Sequence, residues 1–369
     1  MRKRILLLSI LVLVLILGSS AYLLLQGRLG SGGNGGITDA WLSQELSAWR
    51  PAQNGTVGFA LFDSRSSYGM PASSTLEVQE ADLNMLLAAG PSCIRIDIGY
   101  GPWLSGNSTT IGGIDTIVSL VRAAGKCLII ADASSESYRG LGNQLPWDQF
   151  KAAWVQRVQT LAQRYHPDYY IVIKEPGWYA PMVSDARTNP LFRDPNDWLS
   201  LTKQLAGAVL SVSPQTKVGI SVDAGGSMTN QKSYYDAYLQ GCEAIPSISF
   251  IGFDIYSVAG FSNTQNFLSA FGSGGKSIWI AEAWSGTGGA GTANTVYDPS
   301  RSQLDVRWML ALYYFALQIH ASVVAPFFTN IFASYTWSSD PQDLVNTYSQ
   351  RTPVFYEFQD LSTKYGARL

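Results

Sequence analysis

Glu175 and Glu282 each stand at the end of a short apolar, β-rich run, 169–175 and 277–283. Two carboxyls facing one another across an opening can split a glycosidic bond. One, held protonated, donates to the leaving oxygen; the other, ionised, attacks the anomeric carbon and forms a glycosyl ester. A separation of about 5 Å goes with retention of configuration, and about 6.5–9.5 Å leaves room for an inverting water. Histidine chemistry fits less well, because His166 and His320 both precede β-rich runs, at the end opposite the acids. A histidine-held zinc or a serine–histidine hydrolase centre is not expected.

The acids need a scaffold that gathers strand ends. β-rich runs span 57–62, 93–99, 126–133, 169–175, 217–223, 248–257, 277–283 and 321–329. Helical periodicity follows each, clearest over 76–89, 147–165, 198–212, 302–319 and 354–365. Eight such alternations match a (β/α)8 barrel, whose sites lie at the strand C-termini. An open, doubly wound sheet is disfavoured, since no Gly-x-Gly-x-x-Gly follows the first strand.

Neighbouring side chains on a strand face opposite ways, so alternation separates the barrel lining from the helix-facing residues. Ile94, Ile96 and Ile98 are expected outside, leaving Arg95 and Asp97 inside. In the fourth strand Tyr170 and Val172 face out, and Ile171, Ile173 and Glu175 face in. The same count turns Asp132, Asp223, Asp254, Tyr256 and Glu282 inward. Charges buried without partners cost several kcal/mol each, so their gathering at one rim points to a site, although salt bridging or loop capping is the alternative for Asp97 and Asp132.

With these residues in place, the chain resembles the glycoside hydrolases of clan A, barrels with acid/base and nucleophile on strands four and seven. The resemblance covers residues 57–366. It rests on Ile171-Val-Ile-Lys-Glu-Pro176, similar to that clan's Asn-Glu-Pro segment, and on Ile278-Trp-Ile-Ala-Glu-Ala-Trp284, similar to its nucleophile strand. Cys93-Ile-Arg-Ile-Asp97 and Ile251-Gly-Phe-Asp-Ile-Tyr256 support it, with families 5 and 53 nearest in feel. The resemblance implies that Glu175 is the acid/base and Glu282 the nucleophile of a retaining enzyme. It further implies that Arg95 steadies the nucleophile and Tyr256 touches it. Lys174 departs from the pattern, standing where the clan usually carries an asparagine that contacts the sugar. An ammonium donates hydrogen bonds but accepts none. Turned inward it would lower nearby carboxyl pKa values; strict alternation turns it outward.

Sugar-binding walls are expected from Trp103, Trp178, Trp284 and Trp337, just beyond strand ends, with packing under loops as the alternative. Phe328 and Asn330 on the eighth strand would complete the floor. No cofactor is expected. Two other readings stand beside the glycosidase: a catalytically silent barrel that binds glycans, and an Mg²⁺ or Mn²⁺ enzyme using carboxylates from Asp97, Asp132, Glu175, Asp223, Asp254 and Glu282.

Composition narrows the setting. The 369 residues are 46% hydrophobic and only 14% charged, with 11 Trp, 19 Tyr and 15 Phe, which argues against disorder. Lys plus Arg number 25 against 27 acids, so there is no basic excess for a nucleic acid. A surface poor in carboxylates has little to lose on acidification, which favours an acidic working environment. Met1-Arg2-Lys3-Arg4 is a basic flank to an apolar run over 5–25, long enough to cross a bilayer as a helix. Residues 1–28 thus read as an uncleaved anchor or, with Ser19-Ser20-Ala21 as a cleavage site, a signal peptide. Residues 29–50 form a Gly-rich linker and lead-in and 51–369 the catalytic barrel, placed outside the cell as a monomer. Sequons at Asn54 and Asn107 agree with export. Cys93 and Cys127 begin neighbouring strands, where either a bridge or buried thiols would fit.

Overall fold

The computed structural model describes residues 39–49, 55–63, 67, 75–99, 108–132, 147–176, 194–284, 302–326, 332 and 351–369. Eight parallel strands close into a barrel in sequence order: β1 (Gly58–Phe62), β2 (Cys93–Ile98), β3 (Cys127–Asp132), β4 (Tyr169–Lys174), β5 (Lys217–Asp223), β6 (Phe250–Ile255), β7 (Ser277–Ala283) and β8 (Val323–Pro326). Among the described residues the helices are α1 (Asp39–Trp49), α2 (Leu76–Ala88), α3 (Ser108–Ala123), α4 (Trp147–Tyr165), α5 (Pro195–Val212), α6 (Gly226–Asn230), α7 (Lys232–Glu243), α8 (Val258–Phe271), α9 (Ser302–Gln318) and α10 (Pro353–Tyr365). The fold is a (β/α)8 barrel, with strand starts within about two residues of those the sequence implies. Side chains set several helix starts: Thr75, Asp194, Ser257 and Thr352 each accept a first-turn backbone N–H, and Pro195 and Pro353 follow two of them.

Two apolar layers result from strand alternation. The barrel interior holds Ala60, Cys93, Ile129, Ala131, Tyr169, Ile171, Phe250, Trp279, Ala281, Val323 and Ala325, with the rings of Phe250 and Trp279 stacked 3.9 Å apart. A larger layer between strands and helices takes Ile94, Ile96, Ile98, Tyr170 and Val172, as expected. Gly252 lies where a Cβ would stand 2.6 Å from that of Ala281 and 3.0 Å from that of Ser221, so only glycine lets β5, β6 and β7 approach beneath the rim. Cys93 and Cys127, register partners on β2 and β3, form a disulfide, and Cys242 is a buried free thiol.

Residues 39–49, expected within a linker and lead-in, instead form α1, whose Trp49 packs on Phe261 and Phe315. The expected N-terminal hydrophobic helix falls on residues outside those described. Among the described residues, no helix is long and apolar enough to cross a membrane. His166 and His320 lie three residues before β4 and β8, both with positive φ. A cavity of about 510 Å³ lined by Lys276, Ser277, His320 and Ser322 opens at that N-terminal end, away from the acids.

Candidate active site

Arg95 organises the floor. It projects into the barrel from β2, only 1% exposed, and donates from Nε to Asp97 Oδ1 at 2.6 Å and from Nη2 to Asp97 Oδ2 at 2.9 Å. Nη1 donates to the Ala281 carbonyl at 2.7 Å, and Nη2 also reaches Glu282 Oε1 at 2.5 Å. Burial alone would raise the pKa of Asp97. The Arg95 and Lys174 charges outweigh it and hold that carboxyl below its usual range.

Two irregularities in strand pairing decide what else enters. On β4 the register with β5 shifts between Ile171 and Ile173, and Val172 and Ile173 both lie in the outer apolar layer. The expected inward position of Ile173 is thereby corrected, and of the two orientations open to Lys174 the inward one is found. After the slip Lys174 turns into the barrel, where its Nζ donates to Asp97 Oδ2 at 3.0 Å and lies 3.5 Å from Glu282 Oε1. On β7, Phe253 pairs with Ile280 but Asp254 pairs with Glu282. That slip brings Glu282 inward alongside Ala281, where Tyr256 donates to its Oε2 at 2.5 Å.

Glu175 follows β4 directly, with φ +49°, in the left-handed region that non-glycine residues seldom adopt. Its N–H donates to the Ser221 carbonyl at 2.9 Å, so the strained residue is tied to β5. The side chain is half-buried. Desolvation, then the charges of Asp254, Glu282 and Asp223, push its pKa well above the usual carboxyl range, against a smaller opposing pull from Lys174. Glu175, Asp254 and Glu282 each offer a carboxylate oxygen within 4.8 Å of the other two. That spacing would admit a divalent cation, but Arg95 and Lys174 already supply two fixed positive charges to the Glu282 side of the cluster.

Asp254 is fully buried and accepts from Ser221 Oγ at 2.8 Å through Oδ2, while its Oδ1 has no hydrogen-bond partner among the described residues. Ser221 is the residue that the sequence reading missed. Its signal was its place on β5 between Gly219 and Asp223, in inward register. Asp223 stands at the rim but spends its oxygens on the N–H groups of Gly225, Gly226 and Ser227, capping the α6 turn.

Two expected site residues lie elsewhere. Asp132 pairs in register with outward-facing Ile98 and points into the helix layer, ion-paired with Arg157 and accepting from Trp154 Nε1 at 2.9 Å. The interior parity of β3 belongs to Ile129 and Ala131 instead. Trp284 is 2% exposed and packs its ring 5.3 Å from that of Trp308 on α9, so it does not form a sugar wall. Trp103, Trp178, Phe328, Asn330 and Trp337 lie outside the described residues.

Neither a protein-family model nor a curated protein matches the chain by sequence. Solved structures do match by shape. Virulence factor SghA from Agrobacterium tumefaciens superposes with a TM-score of 0.55 at 11% identity, covering 85% of this chain and 98% of that one. A fungal β-1,4-galactanase gives 0.51 at 14% identity, over 85% and 97% of the two chains. A β-glucosidase from Thermotoga maritima gives 0.51 at 10% identity, over 85% and 99%. At such identities the likeness is one of fold: the chain shares the barrel on which those proteins are built.

Proposed function

We propose that this chain is a retaining glycosidase that cleaves O-glycosidic bonds of a polysaccharide or oligosaccharide, with Glu175 as acid/base and Glu282 as nucleophile. The observation that carries the reading is the approach of the two carboxyls, with oxygens within 4.8 Å of one another at the C-terminal mouth of the barrel. That approach supports the about 5 Å spacing of retaining pairs over the wider spacing of inverting ones. Glycosidases among the structural neighbours support it.

The environments divide the labour. Glu175, whose pKa is raised, enters the reaction protonated and gives its proton to the leaving oxygen as the glycosidic C–O bond breaks. Glu282, held at both oxygens by Arg95 and Tyr256, forms a bond to the anomeric carbon as that oxygen departs. Water then gives a proton to the ionised Glu175 and attacks the same carbon as its ester bond to Glu282 breaks. The sugar leaves with its original configuration and both carboxyls return to their starting states.

The setting belongs to the same proposal. Residues 1–28 carry the barrel out of the cell, either secreted or attached to the membrane, where it acts as a monomer. The Cys93–Cys127 bridge accords with an oxidising compartment. Release of reducing sugar from a panel of neutral, acidic and amino polysaccharides is the test, with Glu282→Gln as control. Release that the substitution abolishes is the expected result. A folded wild-type protein that cleaves none of them, or cleaves equally well after the substitution, overturns the reading.

A further inference from the structure

Four carboxyls, those of Asp97, Asp254, Glu175 and Glu282, meet at this floor, and the cations set among them are Arg95 and Lys174. Arg95 bonds both Asp97 and Glu282, and Lys174 bonds Asp97 and lies beside Glu282. Both positive charges thus make ion pairs with those two acids. Asp254 accepts from the neutral Ser221 hydroxyl on Oδ2, its other oxygen is buried without a hydrogen-bond partner among the described residues, and the carboxyl has an oxygen within 4.8 Å of those of the two glutamates. A bare carboxylate oxygen in that place would carry uncompensated charge out of water, whereas a carboxylic O–H there is a donor that a neighbouring acceptor can use.

We propose that Asp254 is a proton-holding positioning residue: a third carboxyl, neutral in the resting protein, that sets how much proton the Glu175–Glu282 pair carries. The kinetic arm of the argument rests on the glycosidase reading; the protonation state itself does not. The titratable and charged groups around Asp254 are Glu175 and Lys174 from β4 and its end, its register partner Asp223 on β5, Tyr256 from its own strand end, Glu282 from β7 and Arg95 from β2. Burial first, then the Glu282 charge, drives its pKa well above the usual range, against Arg95, the Ser221 hydrogen bond and Lys174. When Asp254 does ionise as pH rises, its charge makes Glu175 harder to deprotonate, so the pair holds a working acid to higher pH than Glu175 would alone.

Infrared difference spectroscopy of the full chain reads the proposal directly, through the carbonyl stretch of protonated carboxyls at neutral pH. Two such groups are expected. Asp254→Asn removes one and Glu175→Gln the other, and Ser221→Ala, which takes away a bond favouring the charged form, carries the Asp254 band to higher pH. In the pH–rate profile, Asp254→Asn moves the basic limb down by about one unit. Survival of both protonated-carboxyl bands in Asp254→Asn, or a Ser221→Ala midpoint that does not move, overturns the proposal. The two-band spectrum in a protein that cleaves no glycan would leave Asp254 as described and refute the glycosidase reading instead.

Discussion

Lys174 touches Asp97 at 3.0 Å and sits 3.5 Å from Glu282, inside a barrel where regular strand alternation would have turned it to the helices. The slip of β4 against β5 puts it there and, one residue later, delivers Glu175 to the mouth. One backbone irregularity thus sets both the acid and the cation that opposes its proton.

Because the ammonium favours ionised Glu175, its removal should make the acid hold its proton longer. Lys174→Met is expected to move the basic limb of kcat/KM upward by about one unit. A limb that stays in place or moves down contradicts the electrostatic role given to Lys174.

Protonation of the leaving oxygen matters most when that oxygen leaves poorly. Glu175→Gln should cost about 10²–10⁴-fold on an unactivated glycoside and far less on an aryl glycoside with an acidic phenol. Equal losses on both substrates would assign Glu175 a role other than proton donor.

Raised and lowered carboxyl pKa values leave opposite marks on stability. Glu175 and Asp254 bind protons more tightly folded than unfolded, so their contribution is greatest in acid. It is lost as pH climbs from the ordinary carboxyl values of 4.5 and 3.8 through their raised folded ones. Asp97 has the reverse sign: its contribution is present above 3.8 and lost as pH falls through its lowered folded value. The melting temperature should therefore rise on acidification from mildly alkaline pH toward about pH 5. Glu175→Gln and Asp254→Asn combined should flatten that rise, and a slope unchanged in the double variant would refute the assignment. The acid-tolerant surface expected from a 14% charged composition points the same way.

Asp132 and Arg157 form a buried pair in the helix layer, with Trp154 as a further donor. Breaking such a pair strands a charge, and Arg157→Met should cost about 3–5 kcal/mol in urea unfolding. Activity per folded molecule should change little, since the pair faces away from the mouth. A large loss of turnover without loss of stability would return Asp132 to the site.

Much of this was legible in the residues, and each failure has its own physical cause. The β2 run Ile94, Ile96, Ile98 alternates without interruption, so Arg95 and Asp97 were placed inside from sequence. Parity fails where a strand slips, because the slip lies in the pairing with a neighbour and leaves no local pattern. The adjacent apolar pair Val172-Ile173 ahead of Lys174 is its only trace in the sequence. For Asp132 the parity itself was misassigned: the interior positions go to Ile129 and Ala131, and register with Ile98 sends Asp132 outward. Trp284 was read by its place after a strand, but the apolar face of α9, through Trp308, offers that ring a dry partner.

In the proposed reaction Glu282 forms a bond to sugar while Glu175 supplies the proton. Incubation with activated 2-deoxy-2-fluoro glycosides, which form the ester readily and hydrolyse it slowly, followed by peptide mass mapping, tests it most directly. One sugar per chain, attached to Glu282, is the expected result. Attachment at another carboxyl, or steady turnover with no ester and an inverted product, would contradict it.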